Sequence, residues 1–314
     1  MSGVVYLLPG QGAQAVGMGK AFYDQCDEAK SVYKTAHRKL GFDVAALCFE
    51  GPPEELTKTE QCQPALFVTS MAAFAAFRRV TPKSLTPLAA AGLSLGELTA
   101  LAAAEAIGFE DALYVVQARG HAMAECAAHH RGAMLAVVGL TKEAIEPICR
   151  QSGAVAANFN AADQIVLSGS VEAIAAAEEL ATAAGAKRAV KLEVAGAFHS
   201  PLMQPAADRC KEVLAKVSFR APKFPVISNV TGRPVNDPEE IRAILAKQIV
   251  SPVLWEPSMR ALIEQGATHF IEFPPARVLT GLLRRIDSSV KGITIDEPKD
   301  FEKLSDVLGA SLRT

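Results

Sequence analysis

A serine flanked by glycines, Gly92-Leu93-Ser94-Leu95-Gly96, stands between the small apolar run Leu88-Ala89-Ala90-Ala91 and a stretch of helical character that continues to Ala106. A strand that turns into a helix this sharply leaves no room for side chains beside the turn, and glycine on both flanks meets that demand. The junction commits this part of the chain to an α/β arrangement, with a buried strand ending under a helix N-terminus. It exposes the Ser94 Oγ where free N–H groups and the helix dipole favour developing negative charge, and it sets the Leu95 N–H to hold an oxyanion. The pentapeptide is equally compatible with a glycine-rich turn whose serine only caps the helix.

Residues 4–8 read as a buried strand closed by Pro9-Gly10. The loop after it, Gly10-Gln11-Gly12, can present backbone N–H groups as a second oxyanion donor. With Ala15 it also satisfies a loose dinucleotide fingerprint, although no clear strand ending in an acid follows about 20 residues on. Helices are predicted over residues 21–40, 64–80 and 111–128, the last carrying Arg119. Residues 132–194 alternate as strand (133–138), helix (141–151), strand (155–158), strand (164–168), helix (171–184) and strand (187–194). This βαββαβ order is ferredoxin-like, and the last strand sets Arg188, Val190, Leu192 and Val194 on one face in a half-buried pattern. A larger α/β unit then resumes with a strand at 224–228, helices at 238–248 and 257–265, and a strand at 269–273. A closing helix over 301–312 lines up Phe301, Leu304, Leu308 and Leu312.

Composition excludes several classes. Of 314 residues, 32 are basic and 34 acidic, a net charge of −2 that argues against general nucleic-acid binding. Apolar stretches are interrupted well before 18 residues, so no membrane span is expected, and the N-terminus lacks signal-peptide features; a cytoplasmic protein is expected. The 6 cysteines never form a C-x-x-C pair and read as reduced, buried thiols with no metal site. Among the 6 histidines, His199 stands apart. It lies in Ala195-Gly196-Ala197-Phe198-His199-Ser200-Pro201, a loop at a strand's end and a domain junction, where α/β proteins carry reactive groups.

Several motifs occur together and in order: Gly10-Gln11-Gly12, Gln63-Pro64-Ala65, Gly92-x-Ser94-x-Gly96-Glu97, Arg119-Gly120, Gly132-Ala133-Met134, Asn158-x-Asn160, Phe198-His199-Ser200-Pro201-Leu202-Met203 and Val278-Leu279-Thr280-Gly281-Leu282. In this the chain resembles the malonyl-CoA:acyl carrier protein transacylases and the acyltransferase domains of polyketide synthases, from about residue 4 to 285. The resemblance implies an α/β fold: an α/β-hydrolase-like large domain (residues 1–130 and 196–314) with an inserted ferredoxin-like small domain (131–195). It implies Ser94 as nucleophile, His199 as general base and acid, and backbone N–H groups of Gln11 and Leu95 as the oxyanion hole. It further implies Arg119 as the grip on the malonyl carboxylate and Gln248 as the residue orienting the histidine through its backbone carbonyl. Phe198 resembles the malonyl-selecting pattern.

Two positions depart from the family. Leu93 replaces a histidine usual before the serine and can neither donate nor titrate, and Pro274-Pro275-Ala276 replaces a glycine-rich turn. The substrates implied are malonyl-CoA, a coenzyme A thioester, and a phosphopantetheinylated acyl carrier protein, for fatty-acid or polyketide synthesis. No metal or redox cofactor, no nucleic acid and no membrane are implied, and a monomer is expected. Carrier proteins are acidic, which makes Lys187, Arg188, Lys191, Arg284 and Arg285 docking candidates, although each also reads as solvated surface charge. A serine hydrolase would share Ser94 and His199, and a carrier- or dinucleotide-binding module would leave Ser94 inert; Arg119 separates the transferase from the hydrolase.

Overall fold

The computed structural model describes residues 3–82 and 85–308. Its strands are β1 (Val4–Leu8), β2 (Ala89–Gly92), β3 (Gly132–Val138), β4 (Val155–Ala161), β5 (Gln164–Ser170), β6 (Arg188–Lys191), β7 (Val226–Ile227), β8 (Pro234–Val235), β9 (His269–Glu272) and β10 (Lys291–Thr294). They form two sheets. The larger has the order β10-β9-β1-β2-β7-β8 and is parallel except for β8. Helices cover both its faces, so β1 is buried at every position and reads as a continuous apolar run. One face packs on the long helices Thr59–Val80 and Phe109–His129, the other on Trp255–Glu264 and Val278–Ile286.

The smaller sheet has the order β4-β5-β3-β6 and is antiparallel throughout. With helices Lys142–Ser152 and Val171–Ala183 on one face, this is the ferredoxin-like arrangement. The molecule is thus an α/β-hydrolase-like large domain with a ferredoxin-like small one. A bridge joins the two sheets' surroundings: Phe159 N–H donates to the Val253 carbonyl (2.9 Å) and Val253 N–H to that of Ala157 (2.8 Å).

Several local expectations are corrected. The helix expected over 21–40 is two, Lys20–Gln25 and Asp27–Leu40, because Cys26 between them is extended (φ −126°, ψ 120°). Asp27 and Glu28 then open the second helix, where the dipole favours acids. The helix expected from Pro64 begins earlier and carries Pro64 inside it. β6 is shorter than the strand expected to reach residue 194, and its outer face is not buried. Val190 is 53% exposed and Leu192 37%, while Ala189 on the opposite face meets the helices. Met134 and Val166 on that face of the sheet pack against the large domain, and Val190 at the sheet's edge lies beyond that cover. The closing segment is a 3₁₀ turn, Pro298–Leu304, followed by the short helix Ser305–Leu308; Phe301 and Leu304 are buried. The side chain of Leu308 and all of Leu312 lie outside the described residues. All cysteines are free, but Cys26 and Cys149 are only half-buried. The edge strands β8 and β10 and the helix Gln204–Leu214 escaped the sequence reading.

Candidate active site

Parallel pairing brings three strand ends to one edge of the large sheet. Leu8 at the end of β1 pairs with Gly92 at the end of β2, and Ala91 with Ile227 at the end of β7. The loops that follow carry Gln11, Ser94 and Asn229, in the crevice beyond the carboxyl ends where open α/β sheets gather ligands. Close approach explains the glycines of the turn. A Cβ on Gly92 would lie 1.9 Å from the Gly96 carbonyl carbon, and one on Gly96 2.1 Å from the Leu8 oxygen. Ser94 itself adopts φ 55°, ψ −104°, a conformation that costs on the order of 1–3 kcal/mol. Asn229 holds it: Ser94 N–H donates to Asn229 Oδ1 (2.6 Å), and Asn229 Nδ2 donates to the Gly92 carbonyl (2.7 Å).

The expected serine and histidine meet although they are 105 residues apart, with Ser94 Oγ and His199 Nε2 at 2.8 Å. His199 Nδ1 lies 3.0 Å from the Gln248 carbonyl and 3.1 Å from that of Ser251. Both are acceptors only, so the proton sits on Nδ1 and Nε2 presents its lone pair to the Ser94 hydroxyl. Burial, and then the Arg119 charge, push the His199 pKa down to about 4, against weaker support from the two carbonyls. The imidazole is therefore neutral near pH 7 and free to take a proton.

Arg119 projects from the helix Phe109–His129 and is buried, 3% exposed. Its Nη1 donates to Gln63 Oε1 (2.6 Å), and its Nη2 to Gln248 Oε1 (3.1 Å) and Ser94 Oγ (3.0 Å). Burial draws its pKa down to about 10, which leaves the guanidinium charged at neutral pH. A buried cation held by neutral amides is costly, several kcal/mol in the absence of a counter-anion. Behind it lies Glu97, buried on the first turn of the helix Leu95–Ala103 and accepting from Gln248 Nε2 (2.6 Å) and Asn229 N–H (3.1 Å). Burial raises Glu97 to about 7, opposed by those hydrogen bonds and by Arg119.

Of these groups Ser94, Arg119 and His199 line a cleft of about 460 Å³ between the two sheets. Gln11, Leu95, Phe198, Leu93 and Asn160 also face it, and Phe198 is buried. The Leu95 N–H opens its helix with no intrahelical acceptor, and among the described residues neither it nor the Gln11 N–H makes a hydrogen bond to protein.

The basic candidates divide. Lys187, Arg188 and Arg285 line a separate cleft with Asp163, to which Arg285 is paired at 2.8 Å. Lys191 pairs with Glu178 on the helix-covered side of its sheet, and Arg284 is exposed. Sequence reasoning gave no role to Gln63, Glu97, Asn229 or Ser251. The first two stand inside recognisable motifs and could have been suspected, whereas Asn229 and Ser251 carry no local signal.

A family model described as an acyl transferase domain matches residues 5–296. The chain is 42% identical over 307 residues to the malonyl CoA-acyl carrier protein transacylase of Bacillus subtilis (strain 168), covering 96% of each chain. It is 38% identical to that of Escherichia coli (strain K12), covering 95% of this chain and 97% of the other. Among solved structures, the acyl-carrier-protein S-malonyltransferase of Bartonella henselae superposes with a TM-score of 0.95 at 37% identity, over 98% of this chain and 100% of that one. A malonyl-transacylase solved in complex with its type II PKS acyl-carrier protein gives 0.93 at 35% identity, over 98% and 100%. With relatives matched end to end and the family model spanning both sheets, this chain belongs to the acyl transferase family.

Proposed function

We propose that the chain is a malonyl-CoA:acyl carrier protein S-malonyltransferase working through an acyl-serine at Ser94, for fatty-acid or polyketide synthesis. One observation carries the choice of acyl group: a buried guanidinium donating at 3.0 Å to the nucleophile itself. A malonyl group places its carboxylate one methylene beyond the reacting carbonyl, so an acyl chain on Ser94 brings that carboxylate to the Arg119 fork. There it supplies a carboxylate in direct contact with the guanidinium, which Glu97 reaches only through Gln248, and accepts paired hydrogen bonds.

In the first half-reaction His199 Nε2 takes the hydroxyl proton as Ser94 Oγ attacks the thioester carbonyl. The oxyanion is received by the N–H groups of Gln11 and Leu95. Collapse expels the coenzyme A thiolate, which takes the proton back from His199. The carrier's phosphopantetheine thiol then repeats the sequence in reverse, giving ping-pong exchange with no further cofactor. Gln248, with Ser251, fixes the histidine tautomer through backbone carbonyls in place of a carboxylate. Leu93 offers no polar contact, so substrate orientation falls to Arg119. The Phe198 ring crowds an α-branch, a discrimination of about 1–3 kcal/mol for one methyl.

Residues 131–195 form the inserted domain in this reading, with 1–130 and 196–314 as the large one. The carrier docks beside the cleft near Lys187, Arg188, Arg284 and Arg285, with Lys191 at its margin. Free thiols suit a reducing cytoplasm, and the chain acts as a monomer. Among the described residues no helix is long and apolar enough to cross a membrane.

Intact mass after mixing with malonyl-CoA tests the proposal. An adduct of malonyl size, abolished by Ser94→Ala and discharged by carrier protein, is the expected result. Rapid release of free malonate would identify a hydrolase, and no adduct a binding module.

A further inference from the structure

Resting on that reading, we propose that Glu97 is a positioning residue that sets which way the Gln248 side-chain amide is turned, and through it holds Arg119 toward the acyl pocket. Glu97 does not line the cleft, so it acts only through its neighbours. An amide has two unlike ends, and its surroundings decide which faces where. The nitrogen end of Gln248 donates to Glu97 Oε2 (2.6 Å) and to the Ser94 carbonyl (3.0 Å), while its oxygen accepts from Arg119 Nη2 (3.1 Å). Turned over, the amide would set its oxygen against two acceptors and its NH₂ against a guanidinium. Glu97 and the Ser94 carbonyl together exclude that state.

Gln248 thereby serves three groups at once: the base through its main-chain carbonyl, the nucleophile's backbone through Nε2, and the carboxylate grip through Oε1. The second and third depend on the amide's direction, and only the third touches the group that grips the carboxylate. The same Glu97 oxygen accepts from Asn229 N–H, so one atom ties the amide to the residue that holds the turn. A carboxyl serves as that acceptor whether or not its other oxygen is protonated.

The test compares malonyl with acetyl transfer in Glu97→Met and Glu97→Gln. Glu97→Met removes the acceptor at similar volume. Its malonyl kcat/KM should fall about tenfold, the equivalent of one charge-assisted hydrogen bond, and mainly through KM. Acetyl transfer does not use the grip and should fall by less, keeping only the loss that comes through Asn229, so that the malonyl-to-acetyl ratio drops several-fold. Glu97→Gln, which keeps an acceptor of the same shape, should restore the malonyl-to-acetyl ratio to near the native value.

Equal losses with both acyl groups in Glu97→Met would overturn the proposal, as would a ratio in Glu97→Gln as low as in Glu97→Met. Should Glu97→Met not fold, Gln248→Met carries the same question. It deletes the amide but keeps the carbonyl His199 uses, and an unchanged ratio there overturns the proposal. Wild-type enzyme that takes no malonyl adduct on Ser94 ends both this inference and the function it rests on. A normal adduct with unchanged ratios in the variants ends this inference alone.

Discussion

His199 and Glu97 are both buried, and burial drives them to neutrality from opposite sides. With the His199 pKa near 4, the acid limb of malonyl-CoA acylation should lie below pH 5, well under the ordinary histidine value of 6.5. Because the Arg119 charge contributes to that depression, Arg119→Ala should move the limb upward, measured as kcat/KM against pH for an acyl donor both enzymes accept. The same substitution should weaken malonyl transfer strongly while raising acetyl transfer relative to it; equal losses would refute the carboxylate grip. Stability follows the protons bound in each state. Folded His199 titrates below its unfolded value, so its contribution is complete above pH 6.5 and is lost as the pH falls toward 4. Folded Glu97 titrates above its unfolded value of 4.5, so its contribution is present below 4.5 and is lost as the pH rises through about 7. The two slopes oppose one another between pH 4.5 and 6.5. Removing one in Glu97→Gln should make the urea midpoint climb more steeply from pH 5 to 7 than in the native protein.

At the scale of elements, the turn from β2 into its helix is the most demanding piece of backbone in the site. Gly96→Ala would drive a Cβ to 2.1 Å from a carbonyl oxygen of the neighbouring strand, where no flexible side chain can yield. A loss of about 3 kcal/mol or more in chemical denaturation is expected, together with loss of the acyl adduct. Asn229→Ala leaves a Ser94 N–H and a Gly92 carbonyl unpaired, at about 1–3 kcal/mol for each buried group. It should slow acylation more than it weakens substrate binding, because the strained serine loses its brace; single-turnover rates would show this. The turn was legible because glycine is the only residue tolerated there, and the βαββαβ order because strand and helix periods differ. β6 was misread for the same kind of reason: alternation names two faces but not which one is covered. Val190 is left exposed at the edge of the small sheet, while Leu192 and Val194 on the same face turn onto the cleft.

The molecule as a whole sets a small antiparallel sheet over the open edge of a large parallel one, stitched at Val253 and bridged by Asp163 and Arg285. In the proposed reaction a long pantetheine arm reaches Ser94 through the cleft between them, and positive charge lies beside it. Lys187→Glu with Arg188→Glu should raise the KM for carrier protein several-fold at low salt, and the difference should shrink as salt screens the contact. Unchanged carrier kinetics at every ionic strength would place docking elsewhere.

From residue order alone came the strand-turn-helix junction at Ser94, the ferredoxin-like βαββαβ order and the singling out of His199, since each rests on a local pattern read in place, whereas Arg119 came in only with the family resemblance. Tertiary structure decided the rest. It brought side chains 105 positions apart to 2.8 Å and aimed Arg119 inward from a helix whose sequence does not distinguish it from a surface arginine. To the Gln248 main-chain carbonyl that the family resemblance implied as the histidine's partner, it added that of Ser251. Every residue carries such a carbonyl, so no side-chain identity announces which ones converge; only the path of the folded backbone does.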